Sequence, residues 1–266
     1  MFAPAGRVRA AGIAAGVLAD LLFGDPRRGH PVALFGCTAA AGERLSYSDS
    51  RTAGAAHAGA LLAGLGTLAA LVQRWCRYLG PLPLGIATAG AMFTALGGTS
   101  LIRTGNRMAA LLGADDIDGA RSLLPSLCGR NPAVLDAAGL ARAALESVAE
   151  NTSDAQVAPL LWGGVGGIPA VLVYRGANTL DAMIGNRSPR YVRFGWAAAR
   201  FDDIVNFAAA FAMRPDASPA LLRMPTPTPP PAASDKHTLW GESAATQALF
   251  VATHGISARS RGQHPC

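Results

Sequence analysis

Lysine is almost missing from this 266-residue chain: Lys236 stands alone, and arginine supplies the rest of the positive charge. Charged residues make up only 15% and aromatics 6%, against 50% hydrophobic residues and a mean hydropathy of +0.26. That balance is unlike the surface of an ordinary soluble enzyme and points to a polytopic or partly embedded membrane protein. The net charge of +6 comes from arginines scattered singly between acids. A basic stripe with interleaved aromatics is lacking, so no nucleic-acid partner is expected, and positive loops beside a lipid bilayer account for the charge better. Cys37, Cys76, Cys128 and Cys266 form no C-x-x-C pair, which argues against a zinc ribbon or disulfide framework and fits loops in a reducing cytoplasm. Missing too are H-E-x-x-H and G-x-x-x-x-G-K-[ST], and the glycines from Gly163 to Gly167 lack the preceding strand of a dinucleotide fold.

What the chain has is apolar runs, at about residues 10–24, 53–73, 82–102, 157–174 and 204–213. Only the second and third comfortably reach the ~20 residues that cross a bilayer. Arg7 and Arg9 precede the first run, Asp20 interrupts it and no small-x-small cleavage site follows, so it reads as a retained helix. Arg74 to Pro81 forms a tight connection with headgroup-level aromatics, and Pro81 opens the next helix. The fold class is therefore all-α, a polytopic membrane helical protein. Residues 1–213 form the embedded domain, and residues 214–266, with Pro225, Pro227 and Pro229 to Pro231, read as a disordered tail.

From Arg103 to Gln156 the chain is more polar and predicts a helical loop region. Asp115, Asp116 and Asp118 suit a helix start, and Asn131-Pro132 predicts an N-cap leading into the alanine-rich run to Glu150. In that run Arg142, Glu146 and Glu150 recur at steps of four and share a face. The apolar segment from Val157 to Tyr174 holds four glycines and Pro169 at its centre, which spoils a straight spanning helix. Two half-helices in a re-entrant hairpin are expected instead. Such a hairpin keeps Asp154 and Asp181 on one side, whereas a span would separate them by ~30 Å.

Acids at both flanks of that segment suggest chemistry, because ionisable groups near hydrocarbon are costly to keep. Glu146, Glu150 and Asp154, with Asp181 beyond the segment, could share Mg²⁺, a cation that takes oxygen ligands and binds substrate phosphates. Asn151, and Asn178 one turn before Asp181, would orient a substrate. The bland alternative is a charged helix end. Asp202 and Asp203, followed by Asn206, form a further acidic group, although Trp196, Arg200 and Asp203 share a face and equally suit a surface ion pair. Asp25, Arg27, Arg28 and His30 follow the first apolar run; arginines there could clamp phosphate or carboxylate, or simply mark a positive loop.

Four blocks carry a resemblance: Leu18 to Val32 (LADLLFGDPRRGHPV), Glu146 to Asp154 (ESVAENTSD) with Ala158 to Trp162, Tyr174 to Gly185 (YRGANTLDAMIG), and Arg190 to Asp203 (RYVRFGWAAARFDD). In order and spacing the chain resembles the adenosylcobinamide-phosphate synthase family of cobalamin biosynthesis, from about Ala10 to Phe211. The resemblance implies a multi-pass cell-membrane protein with its active site facing the cytoplasm. Its reaction would join aminopropanol or its phosphate to the propionate carboxylate of adenosylcobyric acid as an amide, with ATP and Mg²⁺, beside other corrinoid enzymes. On this reading Glu146, Glu150, Asp154 and Asp181 hold Mg²⁺ and ATP phosphates. Asn151 and Asn178 orient the substrate, Asp25, Arg27, Arg28, His30 and Arg200 bind phosphate or propionate, and Asp202 or Asp203 deprotonates the amine. The chain departs from the family's pattern at Asn131, Ala155 and Asn186, and after Met213 a proline-rich stretch replaces the expected membrane and glycine-rich blocks. A frameshifted or truncated product is the expectation. Residue patterns alone also leave open a Mg²⁺-dependent membrane prenyltransferase, from the two acidic motifs, and an inactive scaffold or cation carrier.

Overall fold

The computed structural model describes residues 4–24 and 30–212. Asp25, Arg27, Arg28 and the proline-rich tail lie outside the described residues. Every regular element among the described residues is helical. In chain order they are α1 (Pro4–Phe23), α2 (Pro31–Ser46), α3 (Arg51–Leu79), α4 (Pro81–Ala95), α5 (Gly98–Gly113), α6 (Ile117–Leu123), α7 (Ala137–Thr152), a π-helical turn (Ser153–Val157), α8 (Ala158–Ile184), α9 (Tyr191–Phe194) and α10 (Trp196–Ala212).

Local chemistry sets the helix starts. Pro31 and Pro81 occupy first turns, where a missing N–H costs nothing. His30 caps α2 through Nδ1, which accepts from Val32 N, and Asp116 caps α6 by accepting from Gly119 N at 2.8 Å. One expectation is corrected here. Asn131 caps only the short 3₁₀ turn Pro132–Val134, and the α-helix starts later, where Asp136 accepts from Gly139 N at 2.7 Å. Leu135, in extended backbone, separates the two turns.

Among the described residues three helical stretches are long and apolar enough to cross a membrane: Arg51–Leu79, Pro81–Gly113 and Ala137–Ile184. α3 runs unbroken through Leu79, so its connection to α4 narrows to Gly80. Leu68, Leu71, Leu82 and Ile86 on α3 and α4 are all exposed, a surface suited to hydrocarbon and costly in water. α1 and α4 run parallel in close contact, because Gly12 and Gly16 let the α4 backbone approach at Gly85 and Ala89. Arg103 to Gln156 folds into a helical cap with its own core. There Met108, Leu124, Leu127, Leu140 and Val148 are buried, joined by Leu101 just before the cap, each worth about 1.5–3 kcal/mol of transfer free energy.

The last stretch turns back on itself. Gly167 has φ 70° and ψ −149°, a conformation closed to other residues, and Pro169 follows it. A straight helix would hold residues 154 and 178 about 36 Å apart, yet Asn178 Nδ2 donates to Asp154 Oδ2 at 3.3 Å. α8 is thus two antiparallel arms, the hairpin that its glycines and proline predict. At the tip, Arg9 Nη1 donates to Gly164 O and Val165 O, and Gln73 Oε1 accepts from Ile168 N at 3.0 Å. These side chains satisfy the backbone groups that the bend exposes.

Candidate functional site

The π turn sits between the cap and the hairpin, and it points two polar side chains in different directions. Asp154 faces the returning arm of α8 and α10, whereas Gln156 reaches Gly98 beside Asp20 at the junction of α1 and α5. Asp20, 2% exposed, accepts from Thr99 N at 3.2 Å, and the Thr99 hydroxyl donates to Asp20 O at 2.6 Å.

Around Asp154 a connected polar network spans three elements. Asp154 and Asn178 are each 6% exposed and hydrogen-bonded to one another. The Tyr174 hydroxyl lies 2.9 Å from Asp154 O and 2.7 Å from Asn206 Oδ1, and Asn206 Nδ2 donates to Asp202 Oδ2 at 3.1 Å. Asp202 is 4% exposed. Polar groups this deep are held by hydrogen bonding because each lost bond would cost its desolvation. Asp181 follows Asn178 by one turn and is half-buried.

The other expected site residues fall elsewhere. Glu146 and Glu150 lie on the exposed face of α7, where Glu146 pairs with Arg130. Asn151 is buried but bonds Ser147 Oγ at 3.0 Å and Leu127 O, tying α7 to the turn at Leu127 within the cap. Among the described residues no three His, Cys, Asp or Glu side chains are placed to hold a metal ion. A cage built from Glu146, Glu150, Asp154 and Asp181 is therefore not what the fold presents, because the four-residue step puts the two glutamates on the outer face of α7. Arg200 and Asp203 form an exposed ion pair at 3.3 Å, facing away from the network that Asp202 joins. His30 serves as the α2 cap.

Tyr174 and Gln156 are the members that sequence reasoning missed. Their partners are backbone or distant in the chain, and neither leaves a spacing signal. A second polar cluster was equally silent: Glu43 Oε1 accepts from Arg190 Nη2 at 2.9 Å and from Tyr191 at 3.0 Å, and the Arg190 guanidinium lies 4.0 Å over the Tyr47 ring. Hydrogen bonding to Glu43 raises the Arg190 pKa, and burial pushes the Tyr191 hydroxyl up, so both stay protonated through neutral pH. This clamp fixes the segment that joins α8 to α10. A shallow cleft lined by Leu71, Arg74, Trp75 and Tyr78 lies at the far end of α3, away from the acids.

Apolar helices around a folded-back hairpin, with an acid and amide network at its open end, define a helical membrane protein with an internal polar site. The family model described as CobD/Cbib protein matches residues 13–213. A "Cobalamin biosynthesis protein CobD" of Mycobacterium tuberculosis is 59% identical over 210 residues, covering 79% of this chain and 66% of the relative. Proteins of the same description from Rhodobacter capsulatus and Chromobacterium violaceum are 42% and 41% identical, over 72% and 73% of this chain and 63% and 64% of their own lengths. The matched region thus spans just under two thirds of these relatives. No solved structure matches. The chain belongs to the CobD/Cbib family.

Proposed function

We propose that this chain acts in cobalamin biosynthesis as the ligase that joins aminopropanol or its phosphate to a propionate carboxylate of adenosylcobyric acid, with ATP as co-substrate. The observation that carries the reading is Asp154: a carboxylate 6% exposed at a π turn inside the helical bundle, gripped by the Asn178 amide. A helical interruption of this kind is over-represented at functional sites. The resemblance of four blocks to synthases of this type supplies the substrates.

A carboxylate is a poor electrophile and hydroxide a poor leaving group, so the propionate needs activation before the amine attacks. Phosphoryl transfer of this kind depends on positioning and charge neutralisation more than on covalent help. Asp154, steadied by Asn178, would present its negative charge at a fixed place, and Asp181 would lie one turn beyond. Mg²⁺ carried on phosphates ordinarily takes one or two protein carboxylates and keeps its waters, and Asp154 and Asp181 would be the carboxylates to supply. The ion would supply neutralisation of phosphate charge. Arg27 and Arg28, beside Asp25, are the guanidinium groups suited to phosphate or propionate.

The test uses the full chain purified in detergent with adenosylcobyric acid, each amine donor, ATP and Mg²⁺, with the amide product read by mass spectrometry. Asp154→Asn should lower turnover at least about 100-fold while membrane insertion is retained. Full turnover by that variant would remove Asp154 from the chemistry, and no product from the unaltered chain under any donor would sink the ligase reading.

A further inference from the structure

The carbonyl of Asp154 stands where the backbone cannot serve it. In α register its donor would be Ala158 N–H, which bonds instead to Ser153 O. In π register the donor would come from residue 159, a proline without an N–H. A hydroxyl from the returning arm fills the gap, since Tyr174 donates to Asp154 O at 2.9 Å. Tyr174 is 1% exposed, so water does not compete for this place.

The hydroxyl is itself held. Asn206 Oδ1 lies 2.7 Å from it and shares its hydrogen, and the orientation of that amide is set by Asn206 Nδ2 donating to Asp202 Oδ2 at 3.1 Å. Three contacts therefore link α10, through α8, to the backbone of the π turn. The Tyr174 hydroxyl has one hydrogen for two acceptors, so Asn206 acts by fixing where that oxygen stands rather than by strengthening its bond to Asp154 O.

We infer that Tyr174, Asn206 and Asp202 are positioning residues, a chain that holds the π turn open and so aims Asp154. The inference rests on the reading of Asp154 as the acid of the site. It gives Asp202 a role different from that of a base for the amine: its carboxylate is the anchor that orients Asn206. Exposed Asp203, three residues before Asn206, takes no part.

Hydrogen exchange and a residue swap test the chain in the full protein in lipid nanodiscs. Tyr174→Phe should speed exchange of the Ser153 to Ala158 amides at least tenfold, while peptides from α3 and α4 stay as they are. Asn206→Asp, which places two carboxylates together and removes the donor, should do the same. The exchanged pair D202N/N206D rebuilds the 202–206 bond with its direction reversed, because an amide at 202 donates to a carboxylate at 206 whose other oxygen accepts from Tyr174. Exchange should return to within about twofold of the unaltered chain. In the ligation assay the swap should recover most of the turnover that Asn206→Asp loses, and the loss in Tyr174→Phe should fall on kcat with KM for ATP within twofold. Unchanged exchange in Tyr174→Phe, or a swap no better than Asn206→Asp alone, overturns the inference. A swap that restores exchange but not turnover overturns the anchor role of Asp202 and returns it to the chemistry. If the unaltered chain makes no amide, the ligase reading fails and the exchange results alone decide the positioning chain.

Discussion

Aspartates 154, 202 and 203 all sit in acidic runs, and burial alone separates their roles. Asp203 spends its charge on Arg200 in water, where such a pair contributes about 0–1 kcal/mol. The Arg130–Glu146 pair is half-exposed and belongs to the same class. Glu146→Ala and Asp203→Ala should each shift chemical-unfolding stability by no more than about 1 kcal/mol, measured by urea titration in detergent. Asp154, Asn178 and Asp202 were legible in the sequence because acids and amides beside hydrocarbon are conspicuous. Tyr174 was not, since a tyrosine at the end of an apolar run looks like packing and its partner is a carbonyl. The only trace it leaves is Pro159, five residues after Asp154. Glu43 and Arg190 are 147 positions apart, and no local pattern announces their pairing.

Among the elements, the hairpin was the most readable, because Gly167 and Pro169 interrupt an apolar run that would otherwise read as a span. Gly167→Ala puts a side chain where φ is 70° and ψ is −149°, at a cost of about 1–3 kcal/mol. It also brings a Cβ against Gln73 Oε1, the cap of the returning arm. Thermal unfolding in detergent should fall by several degrees, and a result within one degree would show that the bend is not under this constraint. Pro159→Ala makes the opposite kind of change, since it restores an N–H beside the π turn. In that background Tyr174→Phe should accelerate exchange of the 153–158 amides far less than in the unaltered chain, and an equal effect in both backgrounds would break the link between the proline and the hydroxyl. The start of α7 was misread because Asn131-Pro132 and Asp136 are both valid caps. Sequence cannot tell that the first closes a single 3₁₀ turn until Leu135 is seen to be extended.

For the molecule as a whole, the folded arrangement groups arginines that a linear count leaves scattered, and so favours one orientation. The tip end of the bundle gathers Arg7, Arg9, Arg74 and Arg77, whereas the end that carries the buried acids and the cap holds Arg44, Arg51, Arg103, Arg107, Arg121, Arg130, Arg142, Arg187 and Arg193. By the excess of positive charge, the second end is proposed to face the cytoplasm. A cysteine at exposed Tyr78 should label from outside intact cells with an impermeant maleimide, and one at exposed Ser48 only after permeabilisation. Reversed labelling would overturn this proposed orientation.

The caps at the hairpin tip also impose a schedule on biosynthesis. Arg9 and Gln73 both precede the hairpin in the chain, so α1 and α3 leave the ribosome long before residues 158–184. The bent backbone at Gly167 then enters a bilayer in which its hydrogen-bonding partners are already waiting. A polar bend that could not be released alone into lipid is delivered after its partners, to a receptacle that earlier translation has prepared.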